Sequence, residues 1–163
     1  MTQKDKELLL KDLCARLPYE VVGQCEIDAS YDTSFDTIPQ THKFNAVVYG
    51  INEDLLFVSP MIENQDELEF ANEEIADGVD ILDFKPYLFP LSSMTEDQYI
   101  EFIIASGWNC DITDIRRGKF PCISYIGLDY IYNTIDWFNK NHFDYRGLIE
   151  KGLAIDATGL NIY

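Results

Sequence analysis

The chain is poor in the residues from which the commonest sites are built. Histidine occurs only at His42 and His142, and cysteine at Cys14, Cys25, Cys110 and Cys122, with no C-x-x-C pair and no His at ligand spacing. Neither a zinc site nor a small disulfide scaffold is suggested, and buried free thiols are expected. Neither G-x-G-x-x-G nor G-x-x-x-x-G-K-[ST] occurs, so no phosphate-cradling loop of either kind supports nucleotide binding. No apolar run approaches the roughly 20 residues that span a bilayer. MTQKDKELLLKDL carries charges on both sides of its Leu-Leu-Leu, unlike a secretory h-region, so a cytoplasmic chain that contacts no membrane is expected.

The sharpest lack is of positive charge in one place. Of 163 residues, 29 are acidic and 12 basic, a formal charge of −17. Residues 44–84 hold 11 acids and no base, against 8 acids and 5 bases in residues 1–43 and 10 acids and 7 bases in residues 85–163. A field of this sign repels nucleic acid and anionic membranes, so direct DNA or RNA binding is the function class the composition argues against.

Apolar residues make up 47% of the chain and aromatics 13%, enough for a packed core despite the charge. The length fits one globular domain over 1–163, with an acidic excursion at about 61–80. Thr2 caps an N-terminal helix to Arg16, with Leu9, Leu10, Leu13 and Leu17 as its apolar stripe, and Pro18 stops it. Tyr19 to Ala29 alternates as a half-buried strand. Residues 30–42 read as a loop anchored by Tyr31 and Phe35. Lys43–Gly50 and Leu55–Ser59 form a hairpin about a polar break at 51–54. Leu68, Ala71 and Ile75 share a helical face in the acidic stretch, but its charge density weakens a helix there.

Val79 to Leu91 is expected as one strand, confined by Pro86 and Pro90. Thr95-Glu96-Asp97-Gln98 is a capping box that opens a helix over 96–106, closed by Gly107, with Tyr99, Phe102 and Ile103 inward. Arg116, Arg117 and Lys119 form the one locally basic place, and Phe120–Tyr125 reads as a short strand. A last helix over 128–141 turns Leu128, Ile131, Tyr132, Ile135 and Phe138 inward, and the apolar C-terminal stretch packs back on the domain. This order predicts an α+β fold: a mainly antiparallel sheet of about four to five strands and three main helices, N-terminal, 96–106 and 128–141.

Three blocks, KDLCARLPYEV, KPYLFPLSSMTEDQ and DWFNKNHFDYRGLIEKGLAID, resemble a group of uncharacterised proteins from gut-dwelling anaerobic bacteria and their phages or other mobile elements. The resemblance covers about a third of the chain and implies origin and soluble character, with no activity attached. The acidic block lies outside it.

Two sets of residues are candidates for function. Glu63, Asp66, Glu67, Glu69, Glu73, Glu74, Asp77 and Asp80 offer an acidic surface to a basic protein partner. Asp28, Asp32 and Asp36 fall four apart but lack the D-x-[DN]-x-[DN]-G spacing of a calcium loop, so neither metal nor cofactor is expected. The second set is His142, Asp144, Tyr145 and Arg146. Its simpler role is structural: His142 at a helix C-terminus, Arg146 in a salt bridge that pins the C-terminal segment, and Tyr145 donating to a backbone carbonyl. The leading expectation is a non-enzymatic acidic interaction module. The alternative is a small hydrolase or transferase that uses Cys122 or His142 with Asp144 or Arg146, and a self-assembling structural protein is a third reading.

Overall fold

The computed structural model describes residues 2–32, 37–108, 110–119 and 127–163, with backbone alone at 29–32 and 37–40. The chain mixes helices with mostly antiparallel strands, as an α+β sequence should, but holds seven strands among the described residues where four to five are expected. It divides into two compact units, Met1–Tyr87 and Leu88–Tyr163.

The first unit opens with helix α1 (Gln3–Arg16), closed at its start by reciprocal bonds between Thr2 and Asp5. Leu9 and Leu13 are fully buried, and so are Asp12 and Arg16 one turn apart. The Arg16 guanidinium donates to both Asp12 carboxylate oxygens, at 2.7 and 3.1 Å, so each buried charge meets its opposite. A single 3-10 turn at Leu17–Tyr19 carries Pro18 at its start, and Glu20 then turns left-handed with φ of 57°.

Strands β1 (Val22–Asp32) and β2 (Thr37–Asn52) pair antiparallel from Val22↔Val47 to Asp32↔Thr37. The expected loop over 30–42 is thus largely strand, and Phe35 lies outside the described residues. Among the described residues β2 has strand β3 (Leu55–Pro60) as its second neighbour only from Ala46 onward, a setting in which Pro39 is tolerated. Two residues, Glu53 and Asp54, close the β2–β3 hairpin, with Glu53 left-handed at φ of 53°.

Helix α2 (Gln65–Glu74) and the two-residue strand β4 (Val79–Asp80) follow. The expected single strand over 79–91 is broken: Asp80 accepts the Leu82 N–H at 2.9 Å and Ile81–Asp83 form a 3-10 turn. A side chain that takes a backbone N–H offers the chain an alternative to the ladder. Strand β5 (Phe84–Pro90) starts only after this turn and pairs with β1 through Gly23↔Pro86, Gln24↔Lys85 and Cys25↔Phe84. The order in this unit is β4-β3-β2-β1-β5.

The second unit takes the rest of β5, which pairs in parallel with β6 (Phe143–Asp144), while β7 (Ile155–Asp156) also pairs with β5. Helix α3 (Glu96–Ser106) has the Thr95–Gln98 capping box and the left-handed Gly107 that its sequence announces. A short helix α4 (Ile112–Arg116), absent from the expectation, starts on the Asp111 side chain. Helix α5 (Leu128–Lys140) is rotated from the expected face. Leu128 and Tyr132 are exposed, whereas Thr134 and Trp137 join Phe138 inside. Trp137 takes the inward position because its ring stacks on Phe143, at 5.5 Å and 12°.

Phe102, Trp108, Trp137, Phe138 and Phe143 form an aromatic core with Leu91, Met94 and Ile115. Phe102 meets Trp137 edge-on at 5.3 Å and stacks on Phe138 at 5.1 Å. Leu148, Leu153, Ala154 and Ala157 are buried, so the C-terminal stretch packs back as expected. The expected strand at Phe120–Tyr125 lies outside the described residues.

The tightest joint is at Gly23, where an added Cβ would come within 2.3 Å of the Phe84 ring and 2.6 Å of the Lys85 carbonyl oxygen. Gly23→Ala should therefore cost about 1–3 kcal/mol as β1 and β5 part. A lowered urea midpoint with an unchanged slope is the expected readout; an unchanged midpoint would show that the joint yields freely.

Candidate interaction surface

Helix α2 forms within the acidic stretch because its ends and one face are suited to it. Asn64 accepts the Asp66 and Glu67 N–H groups at 3.0 and 3.2 Å. Asp66 and Glu67 stand in the first turn, where the helix dipole favours negative charge. Ala71 and Ile75 are buried, while Glu63, Asp66, Glu67, Glu69, Glu73, Glu74 and Asp77 are exposed. Gly78, at φ of 98°, returns the chain to β4, and a Cβ there would meet that of Leu55 at 3.3 Å.

The eight acids singled out in the sequence divide between two hollows and the open surface. Asp66 and Glu67 line a hollow of about 460 Å³ with His42, Lys43, Phe44 and Phe70, and the His42 ring lies 4.8 Å from that of Phe70. Glu74 and Asp80 line a second hollow of about 410 Å³ with Glu26, Ile27, Asp28, Ile75, Val79 and Asp83. Glu63, Glu69, Glu73 and Asp77 line neither of these two.

Glu26, Asp28 and Asp83 are the site residues that sequence reasoning misses. Alternation of acids along β1 is the only local sign of the first two, and Asp83 joins them through the β1–β5 pairing. Two lysines reach the group: Lys43 meets Glu26 at 2.9 Å, and Lys6 meets Asp80 at 4.0 Å and Asp54 at 2.9 Å. The bond to Asp54 raises the Lys6 pKa, and Asp80 adds to the effect. Asp28 accepts from the Thr41 hydroxyl at 2.8 Å. Burial pushes the Asp83 carboxyl above its usual 3.8, and the charges of Asp80, Asp28 and Glu26 push it further. The buried Cys25 thiol, next to Glu26 on β1, is pushed up to about 12 by burial, with Asp83 adding to it. Among the described residues no cluster of three or more acids, cysteines or histidines is arranged to hold a metal ion.

Of His142, Asp144, Tyr145 and Arg146, the last three are linked to one another by hydrogen bonds, whereas His142 packs on Tyr163. His142 is left-handed at φ of 55°, and its buried ring stacks on Tyr163 at 3.7 Å. The Asp144 carboxylate accepts the N–H groups of Arg146, Leu148 and Ile149 at 3.3, 2.9 and 2.8 Å, which fixes the turn after β6. Tyr145 donates to the Asn139 side chain at 3.1 Å, not to a backbone carbonyl. The Tyr145 hydroxyl in turn accepts from Arg146 at 3.1 and 2.8 Å. Cys122, the nucleophile of the enzymatic alternative, lies outside the described residues.

No helix among the described residues is long and apolar enough to cross a membrane. Comparison with known protein families, curated proteins and solved structures gives no match.

Two substitutions probe these assignments. Because the folded pKa of Asp83 is raised, the folded state binds the proton more tightly than the unfolded state, and stability falls as pH rises through that pKa. Asp83→Asn should raise the Tm at pH 7, with the difference from wild type closing below about pH 3.8. Asp144→Ala removes a buried acceptor of three N–H groups and should cost about 3 kcal/mol in urea unfolding. A cost near zero would show that the turn stands without Asp144.

Proposed function

We propose that this chain is a non-enzymatic interaction module, an accessory or host-modulating protein of a mobile element, that presents carboxylates to a basic protein partner. The observation that carries this reading is the hollow where Glu26, Asp28, Glu74, Asp80 and Asp83 converge from β1, α2, β4 and the turn before β5. Five carboxylates share this space while the two lysines reach it only at Glu26 and Asp80. The upward push on Asp83 reflects both burial and the like charge around it. A lysine or arginine side chain from a partner relieves that repulsion, and so contributes to binding an energy that a neutral ligand does not.

A pull-down on the intact chain from host lysate, at low and moderate salt, tests the reading against a variant with Glu74→Gln and Asp83→Asn. The expected result is a basic protein retained at low salt, weakened about tenfold by the screening at moderate salt, and weakened again by the variant. Equal recovery with wild type and variant, or no salt-sensitive partner at all, would overturn it.

A further inference from the structure

The hollow holds more than charge. β1 pairs with β2 over its whole length, but its other edge is paired to β5 only through Gly23, Gln24 and Cys25. Beyond Cys25 the chain leaves the ladder for the 3-10 turn at Ile81–Asp83, which remains in contact with β1 and brings Asp83 to the hollow. From Glu26 onward, among the described residues, that edge has no strand beside it. Glu26, Ile27 and Asp28 all line the hollow, although successive side chains on a strand point to opposite faces. What three consecutive residues share with one hollow is the strand edge itself, with its backbone N–H and C=O groups.

We infer that the basic partner binds by strand addition: an extended segment that alternates lysine or arginine with apolar residues pairs along β1 from Glu26. The inference rests on the acidic-module reading above and specifies how the partner is held. Cross-strand neighbours share a face, so residues opposite Glu26 and Asp28 fall on the carboxylate side, two positions apart in the added strand. The residue between them falls on the side of Ile27, where Ile75 and Val79 also line the hollow. Main-chain bonds then supply affinity, and the alternation of charge and apolar surface supplies choice. A second copy of this chain is the poorer occupant, because its own β1 edge would bring Glu26 and Asp28 against the same carboxylates. Unprotected edges of this kind are normally blunted, and like charge on this one discourages self-pairing while it leaves a cationic strand welcome.

The test uses the full chain and a nine-residue peptide alternating lysine and valine, with acetyl and amide ends, measured by titration calorimetry at low salt. Two analogues carry N-methyl groups, one on every lysine nitrogen and the other on every valine nitrogen, so all three peptides have equal charge. A strand offers its N–H groups alternately to its two sides, so one analogue should lose at least about tenfold in affinity, equivalent to about 1.4 kcal/mol, and the other should keep it. Equal affinity for all three peptides, or equal loss in both analogues, would overturn edge pairing and leave the acidic-module reading standing. If the unmodified peptide fails to bind, both fall.

Discussion

The approach of β5 to β1 at Gly23 is the constraint on which the first unit depends. With no side chain at that position, the Phe84 ring lies directly over the strand, and the pairing of Cys25 with Phe84 seals the thiol beneath it. The joint is tight but short, three residue pairs long. Its limit is set on the β5 side, where the Asp80 carboxylate captures the Leu82 N–H and bends the chain out of the ladder. A buried seam on one side of Cys25 and an acid-lined strand edge on the other are thus two results of one local competition for a backbone N–H.

Elements with local causes were the ones legible in the sequence. The Thr2 and Thr95 caps, the Gly107 stop and the β2–β3 hairpin each depend on a few neighbouring residues, and each stands where its residues place it. Residues 30–42 mislead because polar, Pro-containing composition resembles a loop; Pro39 is accommodated where, among the described residues, β2 has a single neighbour. The inward face of α5 includes Phe138 and half-buries Ile131 and Ile135 as expected but departs at Leu128 and Tyr132, which spacing alone weighs as heavily as Trp137 with its stack on Phe143. The acidic block was plain as composition. Its partners Glu26, Asp28 and Asp83 were not, since only sheet pairing brings them to Glu74 and Asp80.

The second unit shows a different economy. Its core is built from five large aromatic side chains in edge-on and stacked contact, geometries that suit the ring quadrupole and bury much surface per residue. Around it, polar residues with a reactive appearance are occupied in holding turns. Asp144 gathers three N–H groups, Tyr145 links Asn139 to Arg146, and Arg116 donates to the Met94 carbonyl oxygen at 2.6 and 3.0 Å. Each of these polar residues thus has hydrogen-bonded partners within the unit.

Helix α2 carries one further consequence in its polarity. Its first turn holds Asp66 and Glu67, which suit the positive end of the macrodipole, but its last turn contains no base, and Glu73 and Glu74 crowd the negative end. The helix is therefore at odds with itself at its C-terminus, where carbonyl dipoles and carboxylates repel one another. A cation arriving beside Glu74 meets both, and it relieves the helix as well as the hollow. On the reading proposed above, a cation held beside Glu74 would steady the last turn of this helix as well as the hollow.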